Sequence, residues 1–328
     1  MASMWKYVGL ILLSGLIGFF LGQMKAPQPP QPPDMATKEL RKGSAGLINP
    51  LLECDPNLLN SPPKLKILKD KLTDLLSTKT KLNASDTFSI YYKDLNSGGW
   101  FGINSDLYFA AASLSKVPIM AEIFKIAETK PEILKKKIAF DPEKLNLKNI
   151  YDNLEPSERL EVGKSYTVMD LIKKMVQKSD NIATAVLIDS LDLKLSQLFS
   201  DFGITYEKID GNISLTAKSY GAIFRILYNS TFLNESYSTK ALEILTQSEF
   251  NQGIKNPIPG TIQVANKFGA RNIDTTGYYQ LHDCGIIYKP NRPYLLCIMT
   301  KGKKLDQLVQ VIREISDSIY KSLEAEAF

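Results

Sequence analysis

The residues with the clearest chemical potential in this chain are Ser113 and Lys116, three positions apart at the start of an apolar run. Three positions along an α-helix is about one turn, so both side chains would lie on the same face. If the helix begins at Ser113, the hydroxyl lies among unpaired backbone N–H groups, which stabilise a developing negative charge. A neutral lysine amine one turn on can accept the hydroxyl proton. The pair predicts an acyl-transfer nucleophile that needs no histidine.

The isolated motif also fits a simpler structural role. The same spacing recurs at Ser3 and at Ser61, and a serine that caps a helix beside a solvated lysine is common. The surroundings of Ser113 are what distinguish it, because aromatic and small residues precede it over 108–112 and an apolar helical pattern follows it. On these residues alone, Ser113 can be either a helix cap or a nucleophile.

Length and composition restrict the class of protein. The chain has 328 residues, 44% of them hydrophobic, which is enough for one large core or two modest ones. The net charge of +5 is spread along the sequence, and no arginine–aromatic stripe indicates nucleic-acid binding. Lysines and leucines at helical spacing between 64 and 81 predict an amphipathic helix, whose basic face is either solvated or in contact with an anionic surface.

The N-terminal residues differ from the rest of the chain. No charged residue occurs from Tyr7 to Met24, a length that just spans a bilayer, and no small-residue cleavage site follows. We therefore expect residues 1–25 to be an uncleaved transmembrane helix, 26–61 a proline-rich linker and 62–328 the folded catalytic domain. Basic residues flank the apolar segment on both sides, so charge does not set its orientation.

The pattern of elements predicts an α+β fold. The order is a helix, a hairpin, a helical block, three strands and a final helix, at residues 64–81, 88–95 with 100–103, 113–250, 261–267, 284–288, 294–300 and 305–322. The strands would form one antiparallel sheet built from both ends of the chain, with the helical block inserted between them. The groove where the sheet meets the helical block is a common position for a site.

Two further polar triplets fall where this groove would be. Ser179-Asp180-Asn181 interrupts the helical pattern, and its aspartate fits the N-cap of the next helix. Lys267-Phe268-Gly269 ends one of the predicted strands. Each triplet alone is a weak signal, whereas three motifs in this order, each on the expected type of element, form a stronger one.

With these motifs the chain resembles the serine β-lactamase and penicillin-binding protein superfamily, in particular the class A β-lactamase-like serine hydrolases. The likeness extends over residues 62–322. It implies that Ser113 is the acylated nucleophile and Lys116 its proton acceptor. It further implies that Ser179 passes a proton to the leaving nitrogen and that Lys267 supplies positive potential beside it.

The resemblance also implies a substrate-binding set. Asn181 would hold the amide side chain of the substrate, and Gly269 would let the substrate approach the strand edge closely. The backbone N–H groups of Ser113 and Ala270 would hold the oxyanion. Arg271 completes this set of expected binding residues.

Two departures from the family pattern affect this interpretation. Phe268 stands where the family has a hydroxyl that helps to bind the substrate carboxylate, and we expect Arg271 to substitute for it. The family's deacylating glutamate lies on a long loop after the Ser-Asp-Asn motif, and the segment 180–215 is too short for a helix pair plus that loop. Glu207 is the candidate here, although Asn212 stands one position further on than the family's asparagine.

The resemblance implies an acyl-serine hydrolase that acts on β-lactams. With the expected anchor, its catalytic domain would lie outside the cytoplasm, in the cell envelope, and without the family's glutamate we expect slow deacylation. Two alternatives stay open: a D-alanyl-D-alanine peptidase acting on peptidoglycan stem peptides, and a non-catalytic envelope protein with the same fold. The three cysteines form no metal pattern and nothing indicates a cofactor, while Cys284 and Cys297 fit either a disulfide or a buried core. His282 is interpreted as a strand residue bonded to backbone.

Overall fold

The computed structural model describes residues 46–50, 63–81, 87–145, 160–193, 195–209, 211–273 and 276–325. In chain order its strands are β1 Thr87–Asp94, β2 Trp100–Ile103, β3 Tyr108–Ala110, β4 Lys137–Ala139, β5 Ser165–Thr167, β6 Glu207–Ile209, β7 Asn212–Thr216, β8 Val264–Ile273, β9 Tyr278–Ile287 and β10 Tyr294–Gly302. The α-helices of these residues are α1 Pro63–Lys81, α2 Lys116–Thr129, α3 Val168–Gln177, α4 Asn181–Ser190, α5 Leu195–Asp201, α6 Ala217–Tyr228, α7 Glu235–Thr246 and α8 Leu305–Ala325.

The main sheet has five antiparallel strands in the order β2-β1-β10-β9-β8. The hairpin β1–β2 comes from the first part of the described chain and the other three strands from the last, as the sequence predicts. The helical block lies between them in the sequence. It also contains two small sheets, β3-β7-β6 and β4-β5, which the sequence pattern did not reveal. The predicted α+β architecture is therefore confirmed.

Each face of the main sheet is covered by helices. On one face, α1 and α8 bury their apolar stripes, and the stripe of α8 is formed by Leu308, Val311, Ile312, Ile315 and Ile319. The helical block covers the other face and forms the larger core. Since β8 is an edge strand, its open side is available to line a groove against the helical block.

The prediction that a strand ends at Lys267-Phe268-Gly269 is wrong. Strand β8 continues to Ile273, and its partner β9 begins at Tyr278 rather than at Cys284. Pairing holds this extension, because every residue of β8 up to Ile273 has a partner on β9. The polar and glycine residues of this hairpin gave a weak strand signal although cross-strand pairing stabilises it. The triplet therefore lies inside a strand.

The sequence did not decide whether Cys284 and Cys297 form a disulfide, and the structure shows that they do. Cys284 on β9 and Cys297 on β10 stand directly opposite each other and form a disulfide. Both are fully buried on the face of the sheet that packs against the helical block. The disulfide therefore links β9, the neighbour of β8, to β10.

The predicted N-terminal segments lie mostly outside the described residues. This applies to the whole of 1–25 and to all of 26–61 except 46–50. Within 46–50, Leu47 and Ile48 are buried in the core and Asn49 donates a backbone hydrogen bond to Tyr228, so this part of the predicted linker packs on the domain. No helix in the described part of the chain is long and apolar enough to cross a membrane.

Candidate active site

The turn that carries Ser113 is fixed from two sides. A 3₁₀ turn spans Ala112–Ser115, and α2 begins only at Lys116, so the α-helix starts three residues later than the sequence suggested. The Ala111 N–H donates to β7 at 2.8 Å, and the Tyr220 hydroxyl on α6 donates to the Leu114 carbonyl at 3.0 Å. These contacts hold the turn that we name the nucleophile turn, residues 112–115.

Lys116 is the first residue of α2 and is only 3% exposed. Its Nζ donates to the Asn181 Oδ1 at 2.7 Å, to the Ser179 carbonyl and to the Ser179 Oγ at 3.3 Å. Burial lowers the pKa of Lys116 to about 8, against the opposing effect of the Asp180 carboxylate. A lysine with this pKa supplies a neutral amine near physiological pH, as a proton acceptor requires.

Ser179 lies in the connection between α3 and α4, where the sequence placed it. Its backbone is left-handed, with φ of 59°, a conformation that a non-glycine residue rarely adopts. The Asp180 side chain caps α4 by accepting from the Ala183 N–H at 2.9 Å, as predicted, which fixes the start of the helix immediately after the bend. The bend turns the Ser179 hydroxyl and the Asn181 amide towards the same ammonium group.

Lys267 reaches the same hydroxyl from the main sheet. It is fully buried on β8, and its Nζ donates to the Ser179 Oγ at 2.9 Å and to the Phe268 carbonyl at 3.0 Å. Burial, followed by the positive Lys116, lowers the pKa of Lys267 to about 7, against the opposing effect of the Asp283 carboxylate. Two amines with lowered pKa values therefore face one hydroxyl, an arrangement suited to passing a proton.

Gly269 lies where β8 packs on the nucleophile turn. A Cβ at this position would stand 3.0 Å from the Leu114 side chain and 3.1 Å from the Ala111 carbonyl. The absence of a side chain therefore allows the sheet and the turn to make direct contact. This gives Gly269 a structural reason beyond its expected role in substrate approach, which stays a prediction.

A cavity of about 400 Å³ opens beside these groups. Five predicted site residues line it, together with small and apolar residues of the turn and of α4: Ser113, Lys116, Asn181, Ala270 and Arg271, with Ala112, Ser115, Thr184, Ala185 and Ile188. Its volume is in the range of small-molecule sites. Ser179, Lys267 and Gly269 are not among the residues that line it; Ser179 and Lys267 connect to it through the hydrogen bonds that the Ser179 Oγ accepts from Lys116 and Lys267.

Ser113 and Lys116 are both among the residues that the structure describes, and they form no hydrogen bond with each other. The Lys116 ammonium is bonded instead to Ser179 and Asn181. Proton transfer from Ser113 therefore requires Lys116 to release one of these partners. Catalytic hydrogen bonds are often long before substrate binds, so this geometry is compatible with the expected role.

His282 takes no part in this arrangement. It is buried on β9, its Nδ1 accepts from the Thr300 N–H at 3.4 Å, and burial lowers its pKa to about 4. The imidazole is therefore neutral at physiological pH. Its interpretation as a strand residue bonded to backbone is confirmed.

Sequence reasoning missed two supporting residues. One is Tyr220, which holds the nucleophile turn. The other is Asp283, a fully buried carboxylate that accepts from the Ile254 N–H at 2.9 Å and from the Asn266 Nδ2 at 3.0 Å. Burial raises the pKa of Asp283 to about 7, while its hydrogen bonds and the nearby Lys267 lower it. The available signal for Asp283 was a carboxylate placed directly before the apolar run that begins at Cys284.

The sequence profile of the beta-lactamase enzyme family matches residues 67–323, which is most of the chain. The chain belongs to this family. Among curated protein sequences, none matches the chain. The membership agrees with the class A β-lactamase-like resemblance drawn from the three motifs.

Solved structures show the same fold as this beta-lactamase family member. A point variant of PBP-A, in its acyl-enzyme complex with penicillin G, is 22% identical, with 80% of this chain and 99% of that chain covered and a TM-score of 0.68. An ancestral class A β-lactamase is 18% identical over 76% and 99% of the chains, with a TM-score of 0.66. The class A β-lactamase from Mycobacterium abscessus is 19% identical over 77% and 99%, with a TM-score of 0.64.

This family member departs from the class A pattern where the sequence indicated. Glu207, the candidate deacylating residue, is exposed on β6 and does not line the cavity. No carboxylate is among the described residues that line the cavity. The Phe268 ring lies over the Lys267 ammonium, 4.2 Å from its Nζ to the ring centroid, where the family pattern has a hydroxyl.

Proposed function

We propose that this beta-lactamase family member is a membrane-anchored acyl-serine hydrolase of the cell envelope that acts on β-lactams and deacylates slowly. The observation that carries the proposal is the convergence of two buried lysines, Lys116 and Lys267, on the Ser179 Oγ beside a cavity lined by Ser113. Burial of two amines is unfavourable for stability, so a catalytic role best explains their placement around one hydroxyl.

In the acylation step, neutral Lys116 accepts the proton of the Ser113 hydroxyl as Oγ attacks the carbonyl carbon of the lactam. The backbone N–H groups of Ser113 and Ala270 stabilise the oxyanion. The carbon–nitrogen bond then breaks, and the leaving nitrogen takes a proton from the Ser179 hydroxyl. Ser179 regains a proton from the lysines that contact it, and the product is an ester on Ser113.

The slow second step follows from the lining of the cavity. Hydrolysis of the ester needs a water molecule activated by a general base. Among the described residues that line the cavity, Lys116 supplies the one amine, and none of them is a carboxylate or a histidine. One amine must therefore serve both steps, and we expect the ester on Ser113 to persist.

The disulfide Cys284–Cys297 supports a location outside the cytoplasm. Disulfides persist in oxidising compartments and are rare in cytosolic proteins. The uncharged segment from Tyr7 to Met24 is the proposed anchor. Protease treatment of intact cells tests the location: cleavage of the domain without lysis is the expected result, and full protection would contradict it.

Incubation with penicillin G, followed by intact-mass analysis and peptide mapping, tests the activity. We expect an adduct of the mass of penicillin on Ser113 that lasts for many minutes. Ser113→Ala should abolish the adduct. Ser115→Ala, which removes the neighbouring hydroxyl of the same turn, is the matched control and should keep it. Rapid multiple-turnover hydrolysis would refute slow deacylation.

The D-alanyl-D-alanine peptidase remains the second candidate, because a stem peptide presents a carbonyl and a carboxylate as a β-lactam does, and the same Ser113, Lys116 and Ser179 would serve its acylation step. Release of D-alanine from a stem pentapeptide, faster than any penicillin turnover, would favour it. The absence of an adduct with every acylating probe would instead favour the non-catalytic envelope protein.

A further inference from the structure

A second cavity, of about 350 Å³, lies beside the catalytic one. Arg271 lines both cavities, and Ala110, two residues before the nucleophile turn, also lines the second one. We name this second space the side cavity. Its volume is in the range of ligand sites, and its other described lining residues take no part in the proposed acylation.

One wall of the side cavity is a row of polar side chains across the end of the main sheet. Arg271 on β8 pairs with Gln280 on β9, and Gln280 pairs with Lys301 on β10. Lys301 in turn pairs with Thr87 on β1. Directly paired residues of antiparallel strands lie on the same face of a sheet, so these four side chains form one row. All four line the side cavity.

The opposite wall comes from the small sheet β3-β7-β6 and is mainly apolar. Phe109 of β3, Ile209 of β6 and Leu107, directly before β3, line the cavity there. Leu107 is 43% exposed and Ile209 41%, so both have apolar surface available to a ligand. The two walls are joined, because the Ala110 N–H donates to the Gln280 Oε1 at 3.1 Å.

The polar wall carries two cations and one oriented amide. A backbone N–H can only donate, so its bond holds the Gln280 oxygen towards β3 and leaves the Nε2 donors for a ligand. Half-buried Arg271 and Lys301 stand on either side of Gln280 in the row. No carboxylate is among the described residues that line the side cavity. This wall therefore suits an anion such as a carboxylate.

The position of the side cavity relative to Ser113 assigns it to the acyl part of the substrate. The leaving nitrogen departs towards Ser179, which supplies its proton, and the leaving-side carboxylate of a penicillin goes with it. The acyl chain extends the other way, past Ala270 to Arg271, where the two cavities meet. From Arg271 the row reaches Lys301 over two strand spacings, or about 10 Å. At about 1.2 Å per bond of an extended chain, about eight carbons cover this distance.

From this layout, and resting on the proposed function, we infer that the side cavity is an acyl-chain subsite, and that the preferred substrates carry a carboxylate at the end of a long acyl chain. Lys301 binds this carboxylate with Gln280 beside it, and the apolar wall covers the methylene groups. The leaving-side carboxylate of the substrate is a separate group and stays at the catalytic cavity.

Penicillins made from 6-aminopenicillanic acid test this inference, because they differ in the acyl chain alone. The long pair carries suberoyl, an eight-carbon chain that ends in a carboxylate, or octanoyl, its uncharged counterpart. The short pair carries succinyl or butanoyl, whose four carbons do not reach Lys301. Each compound competes with a fluorescent penicillin for Ser113 of the full chain, and intact-mass analysis confirms its adduct. The measured quantity is the ratio of acylation rate constants within each pair, carboxylate over uncharged.

For the parent protein we expect a ratio of about ten for the long pair and below about two for the short pair. Lys301→Gln should lower the long-pair ratio to about one. Lys301→Glu should lower it below one, because the carboxylate then meets a like charge. Lys303→Gln is the matched control and should keep the parent ratio, since Lys303 also lies over the Tyr278 ring but does not line the side cavity.

A long-pair ratio of about one in the parent protein would overturn the inference. Equal ratios for the two pairs would also overturn it, because they would place the anion site at Arg271, and so would a ratio that Lys301→Gln leaves unchanged. In each of these results Ser113 still forms adducts, so the proposed function stands. Absence of an adduct with all four penicillins would instead remove the proposed function, and the inference with it.

Discussion

Asp180→Asn isolates the electrostatics of the proposed base. The Asp180 carboxylate stands between Ser179 and Asn181, both of which contact the Lys116 ammonium. It favours the protonated form of Lys116 and so opposes the burial that lowers the pKa of that amine to about 8. Asparagine caps helices as well as aspartate does, so the bond from the Ala183 N–H can be retained while the charge is removed.

The magnitude follows from Coulomb's law. Charges on the order of 7 Å apart, at a dielectric constant of about 40 that allows for the half-exposed carboxylate, interact by about 1 kcal/mol, or somewhat less than one pKa unit. Loss of the negative charge disfavours protonated Lys116, so its pKa falls below the present value of about 8. Its neutral fraction at pH 7 then rises about three- to fourfold.

We therefore expect acylation by a fluorescent penicillin to be about three- to fourfold faster at pH 7 and unchanged at pH 10, where Lys116 is neutral in both proteins. The midpoint of the rate–pH profile should move to lower pH. Asp189→Asn removes an exposed charge further along α4 and should leave the profile in place. A midpoint that is unchanged or moves to higher pH in Asp180→Asn would refute the role of Lys116 as the base.

Three other substitutions test the supports of the site. Tyr220→Phe removes the donor to the Leu114 carbonyl and should cost about 1–2 kcal/mol in free energy of unfolding, measured in urea, with slower acylation; an unchanged acylation rate would contradict its role in holding the turn. Gly269→Ala places a methyl 3.0 Å from Leu114 and should slow acylation by at least about tenfold at a stability loss of about 1–3 kcal/mol; full activity would contradict the close approach. Cys284→Ala with Cys297→Ala opens a loop with a sequence separation of 13 and should cost roughly 3 kcal/mol, read as a lower urea midpoint; equal midpoints for the parent and the double variant would contradict it.

Local chemistry let the sequence predict several elements correctly. Asp180 caps α4, as expected, because caps depend on residues a few positions apart. The apolar stripe of α8 is likewise a local pattern. The order of the three motifs was sufficient to indicate the family, which the match over residues 67–323 establishes.

Features that depend on contacts between distant parts of the chain could not be predicted from the sequence. The continuation of β8 past Gly269 depends on pairing with β9, and the junction of β8 with the nucleophile turn depends on contacts between residues far apart in the chain. Cross-strand partners are set by the whole sheet, so a short polar segment gives little sign of them. The disulfide required the same information, since the pairing of Cys284 with Cys297 follows from the register of β9 and β10.

By itself, the sequence determined which side chains with acyl-transfer chemistry are present and on which type of element each one lies. The tertiary structure alone decided that Lys116 and Lys267 meet at the Ser179 Oγ, that burial lowers the pKa of each, and that Phe268 covers one of them. The physical reason is that reactivity depends on distance and desolvation, which arise only when separate parts of the chain pack together.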